Sequence, residues 1–142
     1  MSRYQRMGIH SNQFQGYYKK VLTVCSAGIL RSATAAHILA AEPYNFNTRN
    51  VGTESYALIP LTEDLLMWAD EIVCMQKEHQ IFVLKKMLEW HIPEKRIIVL
   101  NIEDIYEYRH PELVRLIVEK YNRSQEKDPI IESPPTSEDT LW

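Results

Sequence analysis

The sequence predicts a small α/β fold of three layers, α/β/α, in which a doubly wound, four-stranded parallel sheet lies between helices. Three observations predict it. Brief apolar runs alternate with helix-length segments in the order β-α-β-α-β-α-β-α. The runs are apolar throughout rather than at every second residue, as strands covered on both faces are. The chain has 142 residues, which suits one domain.

The elements follow in order. Lys20–Cys25 is β-branched and apolar and ends in small residues, a buried strand. Ser32–Ala41 is rich in alanine, the best helix former, and must stop before Pro43. Arg49–Thr53 is a weaker second strand. Leu61–Ala69 follows Pro60 and has apolar residues at helical spacing. Glu71–Met75 is a third strand and Lys77–His91 an amphipathic helix. Arg96–Ile102 is the clearest strand, and Pro111–Tyr121 a last helix with proline suited to its first turn. The domain spans residues 19–123, after a polar extension over residues 1–18. From Ser124 to Trp142 the chain is rich in Ser, Pro, Glu and Asp and is expected to be disordered or loosely docked.

Composition excludes several classes of function. A hydrophobic share of 45% and a charged share of 25% are those of an ordinary globular chain. A net charge of -3 gives no electrostatic basis for binding nucleic acid. No apolar run approaches the roughly 20 residues that span a bilayer, so no membrane partner is expected. The polar first fifteen residues do not read as a secretory signal. Two cysteines make no disulfide framework, and a cytoplasmic setting is the expectation. The chain is expected to be a monomer or weak dimer. No cofactor or metal is expected, since His79, His91 and His110 lack metal-ligand spacing.

The chemistry concentrates in Cys25-Ser-Ala-Gly-Ile-Leu-Arg31-Ser32, between the first strand and the first helix. A phosphate monoester is a dianion, and holding it takes convergent N–H groups and a fixed cation. Ser26, Ala27 and Gly28 form a pliable stretch, and Gly28 can take the positive φ that turns successive amides, with those of Ile29 and Leu30, onto one anion. The helix that begins near Arg31 adds its positive end. The planar Arg31 guanidinium grips two oxygens at once. The same field favours a thiolate at Cys25, the form that attacks phosphorus. Ser32 is placed to hydrogen-bond that sulfur and help it leave when the thiophosphate is hydrolysed. In doubly wound sheets ligands bind beyond the carboxyl ends of the strands, where this loop and the loop after Ile102 both emerge.

At these residues the sequence resembles the low-molecular-weight protein tyrosine phosphatases, whose signature is Cys, five residues, Arg, Ser. Asn50-Val-Gly-Thr53 is similar to the family's Ser-Ala-Gly-Thr, and Trp68–Met75 to its third strand and approach. Ile102-Glu-Asp104-Ile-Tyr106 resembles the loop carrying the family's general acid. Tyr106–Val114 resembles the Tyr-x-Tyr-x-x-Pro-Glu-Leu-Val of a short bacterial and phage subgroup. The likeness runs from about Lys20 to Tyr121. Three positions depart from it: Gly28 stands where the family has a bracing asparagine, Leu30 where a second cysteine is common, and Ile105 where proline follows the acid.

The resemblance implies the low-molecular-weight phosphatase fold and a cysteine-dependent phosphatase acting on a phosphorylated protein or small aryl phosphate. Asp104, just after the fourth strand, is the expected general acid; Glu103 and Glu107 are the competing carboxylates. Tyr56, Tyr106 and Tyr108 are candidates for an aromatic wall around a phosphotyrosine ring. Cys74 reads as core, and the Lys85-Lys86 pair as a solvated face. Two alternatives stay open: a non-catalytic anion-binding module, and an arsenate reductase, which would need more cysteines than the chain has.

Overall fold

The computed structural model describes residues 18–126. The expected extension and tail therefore lie outside the described residues, apart from Tyr18 at one boundary and Ser124–Glu126 at the other. The elements are β1 (Lys20–Cys25), α1 (Arg31–Ala40), β2 (Asn47–Gly52), α2 (Glu63–Trp68), β3 (Glu71–Cys74), α3 (Lys77–Glu89), β4 (Arg96–Val99) and α4 (Pro111–Glu126). The strands form one sheet in the order β2-β1-β3-β4, all neighbours parallel. The expected α/β architecture is therefore the observed one.

Pleating divides the strand residues between two cores. Val21, Cys25, Val73, Met75 and Ile98 pack on one face with Ala35 and Leu39 of α1 and Leu113, Ile117 and Tyr121 of α4. Leu22, Val24, Ile72 and Cys74 pack on the other with Leu66 of α2 and Val83 and Met87 of α3. The i, i+4, i+8 stripe of α4 is buried completely or nearly so, and each such side chain contributes about 1.5–3 kcal/mol. Cys25 and Cys74 thus face opposite layers. Burial pushes the Cys74 thiol up to about 12, which suits core and not redox chemistry.

Local signals set the helix starts. Thr62 accepts the Leu65 amide at 3.3 Å as the N-cap of α2, with Glu63 and Asp64 in its first turn. At the far end, α4 continues past Tyr121 to Glu126, so Ser124–Glu126 are helical and not part of a loose tail. The reason is a buried carboxylate. Glu71, at the start of β3, receives Arg96 Nε at 2.9 Å, the Tyr121 hydroxyl at 2.8 Å and Lys19 Nζ at 3.1 Å. Arg96 also donates to the Ser124 carbonyl at 3.2 Å and Gln125 Nε2 reaches Glu71 at 3.4 Å, fastening the last turn. Among the described residues, no helix is long and apolar enough to cross a membrane.

Winding begins at β1, runs to β2 on one side, and then crosses to β3 and β4 on the other. The switch point lies between β1 and β3. The turns after those two strands, Ser26–Leu30 and Met75–Gln76, therefore flank one crevice.

Candidate active site

The Cys25 loop is shaped by contacts with the end of β2. Thr53 N donates to the Cys25 carbonyl at 2.9 Å and Glu54 N to the Ser26 carbonyl at 3.0 Å. Gly52 permits this approach, since a Cβ there would lie 2.5 Å from Ser26 O and 2.7 Å from Ala27 C. Gly28 has φ +75°, and a Cβ on it would meet Gly52 N at 2.8 Å. Its amide donates to Cys25 Sγ at 3.1 Å, while its carbonyl accepts Asn50 Nδ2 at 2.7 Å. Gly28 therefore lacks a side-chain brace of its own, and Asn50 supplies one from the neighbouring strand.

The first helix begins at the loop's other end. No side chain caps α1 at Leu30, so the first-turn amides have no intramolecular cap. Ser32 is fully buried, with Oγ 3.1 Å from Cys25 Sγ, and Thr23 Oγ1 fixes the Ser32 carbonyl at 2.7 Å. Thr34 Oγ1 donates to the Leu30 carbonyl at 2.7 Å and accepts the Arg109 amide at 2.8 Å, joining the loop after β4 to this helix.

Arg31 is 1% exposed. Its Nη1 donates to Gln76 Oε1 at 2.6 Å and to the Ile102 carbonyl at 2.8 Å. Its Nε is buried without a hydrogen bond and lies 3.5 Å from Asp104 Oδ1. Asp104 is otherwise open to solvent, its side chain 59% exposed. The guanidinium is thus oriented by two chain segments, the start of α3 and the loop after β4, with the expected acid beside it.

Cys25, Arg31, Ser32 and Asp104 are brought together, and Ser26–Leu30 form the loop between the first two. The apolar side chains of Ile29 and Leu30 are exposed. Tyr106 is half-buried against the core under α1 and α4, with its ring 5.6 Å from that of His110. Tyr108 is more open, and Tyr56 is 71% exposed in the loop after β2. Glu103 and Glu107 are both exposed.

Three residues at the site were not expected from the sequence: Asn50, Gln76 and His79. His79 is fully buried. Its Nδ1 lies 3.0 Å from the Gln76 amide and its Nε2 3.0 Å from Ser26 Oγ. Burial and the Arg31 charge lower its pKa to about 4, with Glu78 and Asp104 acting in the opposite direction. Among the described residues, no group of three His, Cys, Asp or Glu side chains is arranged to hold a metal ion.

This arrangement of sheet and helices has counterparts among solved structures. SP-PTP, a low-molecular-weight protein tyrosine phosphatase from Streptococcus pyogenes, is 15% identical, with a TM-score of 0.60 over 81% of this chain and 98% of its own. The chain has the low-molecular-weight protein tyrosine phosphatase fold. YwlE arginine phosphatase from Geobacillus stearothermophilus shares that fold at 15% identity, with a TM-score of 0.53 over 82% of this chain and 98% of its own. A YwlE mutant with a phosphorylated active-site serine is 18% identical, with a TM-score of 0.54 over 77% of this chain and 97% of its own. No family profile matches the chain, and no curated protein does. The fold therefore spans nearly the full length of each of these phosphatases, while sequence identity stays at or below 18% for all three.

Proposed function

We propose that the chain is a cysteine-dependent phosphatase that hydrolyses phosphotyrosine or another aryl phosphate monoester through a thiophosphate on Cys25. The observation that carries this reading is the setting of Cys25 Sγ. It receives the Gly28 amide at 3.1 Å, lies 3.1 Å from Ser32 Oγ, and faces an uncapped helix start that carries buried Arg31. Preorganised donors around an anion are the largest catalytic contribution such a site offers.

In the first step the loop amides and Arg31 hold the non-bridging phosphate oxygens. The thiolate attacks phosphorus, the bond to the leaving oxygen breaks, and Asp104 gives that oxygen its proton. In the second step Asp104 takes a proton from water, the water oxygen bonds to phosphorus, and the S–P bond breaks. Ser32 donates to the sulfur as its charge returns. The contact between Asp104 and Arg31 supports Asp104 over Glu103 and Glu107, for which no such contact is seen.

The solved neighbours include both tyrosine and arginine phosphatases. Ile29, Leu30, Tyr56, Ile105 and Tyr108 are exposed in the loops that follow β1, β2 and β4, and their apolar side chains support an aryl leaving group. Turnover of phosphotyrosine and phosphoarginine, measured without added metal for wild type and Cys25→Ser, tests the reading. Cys25-dependent turnover favouring phosphotyrosine supports it. Turnover unchanged by Cys25→Ser, or none on either substrate, contradicts the enzyme, and preference for phosphoarginine contradicts the aryl substrate. Asp104→Asn should lower kcat by about 100-fold or more while inorganic phosphate still binds; a larger loss in Glu103→Gln or Glu107→Gln would overturn the choice of acid.

A further inference from the structure

We propose that His79 is the positioning residue of this site: one neutral imidazole, protonated on Nε2, straps the Cys25 loop and the Arg31 guanidinium to the start of α3. The proposal rests on the phosphatase reading for its kinetic consequences, and on geometry alone for the strap.

The tautomer follows from the partners. The Gln76 backbone amide can only donate, and it lies 3.0 Å from Nδ1. Nδ1 must therefore offer a lone pair, and the ring proton of the neutral form sits on Nε2. Nε2 lies 3.0 Å from Ser26 Oγ, which accepts that proton in a hydrogen bond. The Ser26 hydroxyl keeps its own hydrogen for another acceptor, and an anion held by the loop is one.

Each nitrogen leads to a different half of the anion site. Through Nδ1 the ring fixes the backbone of Gln76, the N-cap of α3, whose side-chain oxygen takes Arg31 Nη1 at 2.6 Å. Through Nε2 it fixes Ser26, the residue next to the nucleophile. A histidine that served only to cap α3 would need Nδ1 alone. The strap requires a neutral ring, because a proton on Nδ1 would face the Gln76 N–H. The charged groups around it are Arg31 from α1, Asp104 from the loop after β4, and Glu78 of α3, whose Oε2 is 4.0 Å from Nε2. Burial and Arg31 outweigh the two carboxylates, and the ring stays neutral.

Two substitutions separate the halves. His79→Asn offers an acceptor near the Nδ1 position and does not extend to Ser26. His79→Gln extends an amide donor to the Nε2 position and gives up the Nδ1 acceptor. We expect each to lower kcat for an aryl phosphate by about tenfold, with His79→Ala losing about 100-fold, because small misplacements of catalytic groups cost that much. The dissociation constant for inorganic phosphate should rise several-fold in all three. A structural role alone would lower Tm and leave kcat of the folded enzyme unchanged. Nitrogen-15 spectra of the wild-type full chain, with and without inorganic phosphate, read the tautomer directly and need no variant to fold. A proton on Nδ1 near neutral pH overturns the strap, as do Asn and Gln variants within twofold of wild type in both kcat and phosphate affinity. Should wild type bind phosphate with the Nε2 proton in place, and the variants bind it more weakly, the strap stands even if no phosphate ester is hydrolysed; only the phosphatase reading then falls.

Discussion

Asn50→Ala tests whether the loop is braced from β2. Asn50 is buried, and its Nδ2 donates to the Gly28 carbonyl at 2.7 Å. Gly28 is held at φ +75° with Gly52 N so close that no side chain fits between them. Alanine removes the donor and leaves the buried carbonyl without it, which costs about 1–3 kcal/mol. The void left by the carboxamide adds in the same direction. A total near 2 kcal/mol lost in urea denaturation is the expected result. The consequence for function follows from the same residue, because the Gly28 amide contacts Cys25 Sγ at 3.1 Å. A tilted peptide moves that donor, so kcat/KM for an aryl phosphate should fall by about tenfold or more, and inhibition by inorganic phosphate should weaken in parallel. Asn50→Asp keeps the shape but sets an acceptor against the carbonyl and a negative charge below the anion site, so it should lose more activity than alanine. Asn50→Ala within about 0.5 kcal/mol of wild type in stability and within twofold in kcat/KM would refute the reasoning.

Three further outcomes are expected. Gly52→Ala forces a methyl to 2.5 Å from Ser26 O, so about 1–3 kcal/mol of stability and most of the activity should go together; calorimetry and kinetics on one preparation check this. Glu71→Ala removes the shared acceptor of Lys19, Arg96 and Tyr121 at the opposite end of the sheet, and should cost roughly 3 kcal/mol in denaturant melts with kcat at low temperature unchanged. His79 titrates near 6.5 in the unfolded chain and at about 4 in the folded one, so the unfolded state binds the extra proton first. Its share of stability is present above about pH 6.5 and is lost as pH falls toward 4, by roughly 3 kcal/mol. The acid slope of unfolding free energy should therefore be shallower in His79→Asn than in wild type.

The fold was legible because β1 and β3 are mostly apolar where they meet the helix layers, Thr23 and Glu71 apart. Strand and helix ends were less so. β2 begins at Asn47, where polar residues are buried; Thr48 Oγ1 donates to the Ala36 carbonyl at 2.9 Å and Asn50 Nδ2 to the Gly28 carbonyl at 2.7 Å. A hydrophobic pattern carries little trace of such a start, and the expected strand therefore begins at Arg49, two residues late. The expected run of β4 to Ile102 outlasts the strand, which ends at Val99, yet Leu100 and Ile102 still donate to Cys74 and Met75. The length of α4 depended on Glu71, 50 residues before Tyr121, and no local signal announces that carboxylate.

The same contrast holds at the site. Cys25, Arg31 and Ser32 lie within one loop and its helix, so spacing alone joined them. Asn50, Gln76 and His79 belong to segments that meet the loop only because β1 lies between β2 and β3. With the strand order in hand, the switch-point rule directs attention to the turn after β3, where Gln76 and His79 stand. Without it His79 was one unpaired histidine among several.

The central claim is that Cys25 accepts a phosphoryl group. Rapid quenching of the wild-type chain during turnover of an aryl phosphate, followed by peptide mass mapping, measures this directly. The account predicts one added phosphoryl group on the peptide containing Cys25, absent before substrate is added and more abundant in Asp104→Asn if hydrolysis of the intermediate is slowed more than its formation. Steady turnover with Cys25 unmodified, or a phosphoryl group on any other residue, would contradict it.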